Sequence, residues 1–359
     1  MSLADLLAER IRRDGPIPVS DFMAEALGHP QWGYYMGRDP FGLAGDFTTA
    51  PEISQMFGEL IGLWCALVWQ SMGSPDRVVL AEIGPGRGTL MADLLRAART
   101  LPPFAAALDV YLIETSPSLR NRQAQTLAGE TVSWIERFED LPAGPLLLVA
   151  NELFDALPIR QYERTAEGWC ERLVSLAPEG GFCFVPGPVI ASPPLAPAVL
   201  SAPDGAIAET CEAGLQLAVA IAARLTQSGG AALVIDYGHG ASSAGDTLQA
   251  VKAHRYHPAL ADPGTVDLTA HVDFQALAQA AAAQGAAIHG PVPQGRFLPR
   301  LGLEERTVML MRTAGPDHAA DIAARARRLI DPAEMGTLFK VIAFTHPSLP
   351  APPGLESTP

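Results

Sequence analysis

The sequence predicts an α/β protein with a mostly parallel sheet, and three observations predict it. Short apolar runs read as buried strands: RVVLAEIG (77–84), LDVYLIET (108–115), TVSWIERF (131–138) and the start of PLLLVANELFDALP (145–158). Helical segments, GTLMADLLRAART (88–100) and SPSLRNRQAQTLAG (116–129), alternate with them. A further apolar run, AALVIDYG (231–238), resumes the strands after an interruption. Strands that alternate with helices pair in parallel and are covered on both faces.

The elements follow in order. Residues 3–13 read as a short amphipathic helix with Leu3, Leu6, Leu7 and Ile11 on one side, and Gly15-Pro16 ends it. A second helix is expected over about 20–27. The stretch HPQWGYYMGRDPFGLAGDFTTAPEIS (29–54), rich in Gly, Pro and aromatics, reads as a long irregular segment of the functional kind. Pro51 opens a strong helix, where its missing N–H costs nothing, and Gly73-Ser74-Pro75 closes it. After the first four strands, IRQYERTAEGWCERLVSLAPEGGFCFV (159–185) reads as an inserted antiparallel element, followed by a Pro-rich stretch to 205. A helix at about 208–228, a polar loop over 239–268, a helix over 272–284 and a short strand at 286–289 come next. ERTVMLMR (305–312) reads as a strand, 318–330 as a helix and TLFKVIAF (337–344) as a strand. The expected organisation is a helical extension with a cofactor-covering loop (1–75) and a catalytic domain (76–315) carrying an insertion at 159–205. A C-terminal helix and strand (316–346) and a disordered tail (347–359) complete it.

The bulk numbers narrow the function. The chain has 359 residues, 48% hydrophobic and 18% charged, with a net charge of -14. This excludes a non-specific nucleic-acid binder, which needs a basic face, and leaves room for a basic protein partner. The longest apolar run, LIGLWCALVW (60–69), has ten residues where a membrane span needs about 20. The N-terminus reads neither as a secretory signal nor as a convincing transit peptide. Cys65, Cys170, Cys183 and Cys211 form no C-x-x-C pair, and the histidines show no metal spacing, so no metal site is expected. The apolar N-terminal helices leave room for self-association.

The stretch AEIGPGRGTL (81–90) carries the chemistry. A strand that ends in glycines at a helix start is a site for a nucleotide-like ligand, because the backbone can approach closely and free N–H groups face it. The spacing here is Gly84-x-Gly86-x-Gly88, not the G-x-G-x-x-G of dinucleotide enzymes, and Glu82 precedes it. A carboxylate repels a pyrophosphate and attracts an ammonium group, which favours S-adenosylmethionine over NAD(P). Glu114, at the end of the second strand, suits both ribose hydroxyls. Phe138 and Glu139, after the third, stand where an adenine could be packed and hydrogen-bonded; core packing suits Phe138 as well, and a solvated turn suits Glu139.

At this point the residues resemble a family. GDFTTAPEISQMFGEL (45–60), EIGPGRGTLMADLLR (82–96), ANELFDALP (150–158), DLTAHVDF (267–274), QGRFLPRLG (294–302) and MGTLFKVIAF (335–344) resemble the MidA-like family, over residues 3 to 346. This is the family of the mitochondrial complex I assembly methyltransferase and its bacterial relatives. The resemblance implies a class I methyltransferase, Rossmann-like, with a seven-stranded sheet whose last strand is antiparallel. It implies S-adenosylmethionine as cofactor and methylation of a protein arginine on a respiratory complex I subunit during assembly. The setting would be the bacterial cytoplasm, or the mitochondrial matrix for a processed chain.

An arginine acceptor is protonated at neutral pH, so the site needs carboxylates to orient it and take its proton. Glu152, after the fourth strand, and Asp46, in the loop before the long helix, are the favoured carboxylates, with Asn151 touching the cofactor. Asp155 suits a turn cap as well as a catalytic role, and Asp236 a strand-end hydrogen bond. Asp267 and Thr269 are expected to cap the next helix. The rival readings are methylation of another protein or a small molecule, and a non-catalytic cofactor-binding assembly factor.

Overall fold

The computed structural model describes residues 2–37, 49–252 and 255–356. Two compact units share the chain, and each is discontinuous in sequence. One comprises Met1–Phe47, Phe154–Leu217 and His239–Leu277, and the other Thr48–Leu153, Ala218–Gly238 and Ala278–Pro359. Residues 49–75 thus fall in the unit of the central strands, not with the N-terminal helices as the expected boundary at 75 has it.

The second unit holds the central sheet. Its strands are β1 (Val78–Ile83), β2 (Leu108–Ile113), β3 (Val132–Ile135), β4 (Leu146–Asn151), β5 (Gly230–His239), β6 (Ala287–Pro293) and β7 (Phe339–Thr345). They run in the order β3-β2-β1-β4-β5-β7-β6. The β1–β2, β2–β3, β1–β4 and β4–β5 pairs are parallel, and β7 is antiparallel to both β5 and β6. This is the class I methyltransferase sheet, with the last strand reversed as expected. Every residue of β1 and β4 is buried, which explains why both read as unbroken apolar runs.

Two helices of this unit pack against each other. The helix α1 (Gln55–Ser71) is capped by Ser54, whose Oγ accepts the Met56 N–H, and α2 (Thr89–Ala98) follows the glycine loop. They pack closely because α1 presents glycines. A Cβ at Gly58 would lie 2.6 Å from Asp93 Cβ and 3.0 Å from the Leu90 carbonyl oxygen, and one at Gly62 would lie 2.9 Å from that of Leu94. Gly58→Ala should cost about 1–3 kcal/mol by overpacking. Gly28→Ala, where no atom lies within 4 Å, should stay within about 0.5 kcal/mol. Urea midpoints of the two variants check this contrast.

Two expectations in this unit are corrected. ERTVMLMR is helical, within Leu303–Thr313. Gly302, left-handed at φ 95°, starts that helix, Glu304 and Glu305 suit its positive end and Arg312 its negative end. Val308 and Met309 are exposed, so the apolar run is not a buried strand. The Pro-rich C-terminus is not a tail through residue 356: Leu355 is buried in the core, and the Gly354 carbonyl accepts from Arg300 Nη1 at 3.2 Å.

The first unit combines the N-terminal helices Leu3–Asp14 and Val19–Gly28 with the antiparallel insertion. Gly168–Leu176 pairs with Arg160–Thr165, Phe182–Val189 and Ile17–Pro18, and Arg160–Thr165 also pairs with Ile207–Thr210. Leu3, Leu7 and Ile11 are buried in this unit's own core, so that apolar stripe is consumed within the chain. Asp267–Thr269 is a strand, not a cap. Tyr35 donates to Asp267 at 2.8 Å, and Asp273 caps the following helix by accepting the Ala276 N–H. No helix among the described residues is long and apolar enough to cross a membrane.

Candidate functional site

The carboxyl ends of β1 to β4 bring most of the expected residues to one edge of the central sheet, where ligands bind in open parallel sheets. The glycine loop links β1 to α2. Gly84, Gly86 and Gly88 all have positive φ, at 65°, 52° and 80°. Gly84 favours glycine because its backbone is left-handed; a Cβ would also lie 2.9 Å from Leu153 Cδ1, the end of a side chain that can move. Gly88 begins α2 and donates to the Pro85 carbonyl at 2.7 Å.

Glu82 is buried at the end of β1. Burial pushes its carboxyl up to about 8, against one bond from the Met91 N–H. Its Oε2 has no hydrogen-bond partner among the described residues. Asn151, at the end of β4, donates from Nδ2 to Glu152 Oε1 at 3.0 Å, while its buried Oδ1 also lacks a partner among the described residues. Orphaned buried acceptors cost free energy unless a donor meets them. Two such acceptors beside a glycine cradle fit a ligand with an ammonium group, and so the amino-acid end of S-adenosylmethionine.

The Glu82 carboxyl makes a pH prediction. The folded protein holds a proton that the unfolded chain releases near pH 4.3 or so. Stability of the cofactor-free protein should therefore fall as pH rises toward about 8 and level off above it. A bound ammonium favours the carboxylate, so cofactor binding at pH 6–7 should release a proton and tighten with rising pH. Calorimetry at two pH values, in buffers of different ionisation enthalpy, reads both effects, and Glu82→Gln should abolish the proton release.

Glu114 follows β2 and is buried. Its Oε1 accepts the Ser116 N–H at 2.8 Å and its Oε2 accepts from Gln123 Nε2 at 3.0 Å. Burial raises its pKa and these bonds oppose the rise. Phe138 and Glu139 lie on a 3-10 turn (Phe138–Asp140) after β3, Phe138 half-buried and Glu139 exposed. Glu152 follows β4 with φ at 50°, a left-handed backbone uncommon outside glycine. Its Oε1 also accepts the Ala50 N–H at 2.9 Å, and its own N–H donates to the Ile235 carbonyl at 2.9 Å. Asp236 is structural: its oxygens accept the N–H groups of Leu153 and Tyr237, at 3.1 and 2.9 Å.

Of the three expected carboxylates, Glu152 is the one that the described residues of this unit hold. Asp46 lies outside the described residues. Asp155 belongs to the first unit, where it is buried and its carbonyl accepts the Ala270 N–H at 2.9 Å. Sequence reasoning missed Glu52, which accepts from Thr89 Oγ1 and lies 3.5 Å from Arg87 Nη1 of the glycine loop. It also missed Gln123. The motif around Pro51 holds Glu52, so the signal for that residue was present; the helix holding Gln123 carries none.

A family described as S-adenosyl-L-methionine-dependent methyltransferases matches residues 60–292. The chain is 38% identical to "Protein arginine methyltransferase NDUFAF7 homolog, mitochondrial" of Drosophila melanogaster, over 96% of this chain and 84% of that protein. It is 35% identical to the NDUFAF7 protein arginine methyltransferase of Homo sapiens, over 94% and 82%. A superfamily member from Burkholderia thailandensis, solved bound to S-adenosyl-homocysteine, superposes with a TM-score of 0.84. That structure is 32% identical, over 99% of this chain and 93% of that one.

Proposed function

The chain belongs to the MidA-like family of S-adenosylmethionine-dependent methyltransferases, and from that premise we propose that its acceptor is an arginine side chain of a protein. The observation that carries this reading is the near full-length similarity to relatives named protein arginine methyltransferases. Glu152, a carboxylate held at the sheet edge by Ala50 and Asn151, supports it.

When bound, S-adenosylmethionine supplies a methyl group on a positively charged sulfur. The protein's part is to place the acceptor in line with it and to manage the acceptor's proton. In this reading Glu82 and Asn151 hold the ammonium end, the glycine loop admits the amino-acid moiety, and Glu114 holds the ribose. Phe138 packs the adenine and Glu139 bonds its edge. Glu152 accepts hydrogen bonds from the guanidinium, orients it and takes the proton lost on transfer. Asp46 and Asp155 are the further carboxylates for this task.

The finer proposal is that the arginine lies on a subunit of respiratory complex I and is methylated during assembly. It rests on the family resemblance and on relatives that are mitochondrial. The enzyme would then work in the mitochondrial matrix, or in the cytoplasm of a bacterium. A net charge of -14 suits a basic acceptor segment. The test is to incubate the purified protein with complex I subunits and assembly intermediates and labelled S-adenosylmethionine, and to map methylarginine by mass spectrometry. Label on arginine of one subunit is the expected result. Label only on other residues, on another protein or on a small molecule overturns the arginine or the complex I reading, and cofactor binding without transfer favours a binding role.

A further inference from the structure

One buried amide ties together three strand ends of the cofactor half of the sheet. Gln123 lies on the helix α3 (Pro117–Thr126), which is introduced by Ser116, and its side chain is wholly buried. Its Nε2 donates to the Gly86 carbonyl at 2.8 Å and to Glu114 Oε2 at 3.0 Å, and its Oε1 accepts from Trp134 Nε1 at 2.9 Å. Gly86 belongs to the loop after β1, Glu114 follows β2, and Trp134 lies in β3.

The neighbours fix the orientation of this amide. A flipped group would set its oxygen against the Gly86 carbonyl and the Glu114 carboxylate, and its NH2 against the indole N–H. Both N–H donors of Gln123 are therefore committed. The close approach of the α3 backbone to the loop helps: a Cβ on Gly88 would lie 3.5 Å from both Cα and Cγ of Gln123. With Ser116 on the other oxygen, the Glu114 carboxylate is held at both ends. The Thr115 N–H bonds the same carboxylate.

We propose that Gln123 is a positioning residue for the cofactor, locking the glycine-loop carbonyl at Gly86 and the Glu114 carboxylate into one fixed arrangement through the Trp134 indole. The inference rests on the family's cofactor and not on the identity of the methyl acceptor. Gln123 touches no part of the reaction; it acts by pre-organising the two groups that do. Neither group can turn without breaking a bond to the same amide, so the free protein already has the bound geometry.

The experiment separates positioning from mere packing. Gln123→Met removes all three bonds, strands the Trp134 N–H, and should both lower stability and weaken S-adenosylmethionine binding about 10- to 100-fold. Adding Trp134→Phe removes the stranded donor, since replacing both partners by apolar groups can be nearly neutral. The double variant should recover thermal stability while its cofactor affinity stays weak. In a transfer assay KM for the cofactor should rise by the same factor, with kcat at saturation within about twofold. Gln123→Glu, close in shape, turns an acceptor toward Gly86 and a charge toward Glu114, and should weaken binding at least as much at pH 8. Calorimetry on the folded variants decides the matter. Binding within twofold of the unmodified protein, in the double variant or in Gln123→Glu, overturns the proposal, as does affinity that returns together with stability.

Discussion

Glu114→Ala should weaken S-adenosylmethionine binding by about 10²- to 10⁴-fold, the largest effect expected at the cofactor site. A carboxylate that accepts hydrogen bonds from two ribose hydroxyls contributes about 1.5–3 kcal/mol through each, and 1.4 kcal/mol is a factor of ten. Removing it leaves the Ser116 N–H and one Gln123 N–H without their acceptor. That adds a stability cost of about 1–3 kcal/mol for buried unpaired donors, which must be measured apart from the affinity. The two readouts are the melting temperature without ligand and calorimetric titration of the fraction that remains folded. Glu114→Asp, a methylene shorter, should keep the charge and lose less. Unchanged cofactor affinity in a folded Glu114→Ala protein would place the ribose elsewhere. Tight NADH binding by the unmodified protein would be at odds with the family assignment.

The parts of this site that could be read from sequence are those fixed by strand ends. A buried strand announces itself as an apolar run, and the residue that follows a parallel strand must lie at the ligand edge of the sheet. Glu114 and Glu152 were therefore legible from position alone, and the glycines from their spacing. Gln123 was not. Nine residues separate it from Glu114, and nothing local distinguishes it from Gln125 on the same helix; only packing of α3 against the loop gives it three partners. The helix over Leu303–Thr313 misled for a different reason. Thr307 to Leu310 is an apolar, β-favouring run, but its burial depends on tertiary context, and the capping Gly302 with the acids behind it was the better local signal. The interleaving of the two units was hidden too. Leu3 and Leu268 share one core although 265 positions separate them, a proximity that no short window of sequence contains.

Glu152→Gln should reduce methyl transfer by about 10²- to 10⁴-fold while S-adenosylmethionine affinity changes by no more than about threefold. Glutamine keeps the shape, and its amide oxygen can still accept the Ala50 N–H and the Asn151 amide that now bond Oε1. What it loses is the negative charge that orients a guanidinium and the basicity that receives its proton. A cation that stays protonated has no lone pair to offer, so the loss should fall on kcat more than on the KM of the cofactor. The backbone at this position, at φ 50°, costs on the order of 1 kcal/mol for a residue with a side chain. Glycine at this position would relieve that cost, so Glu152→Gly should be less destabilising than loss of the Ala50 bond alone implies, and yet as inactive as Glu152→Gln. If Glu152→Gln instead loses cofactor affinity in step with turnover, the carboxylate serves the cofactor pocket through Asn151, and the base for the acceptor must be sought among the other carboxylates, Asp46 and Asp155.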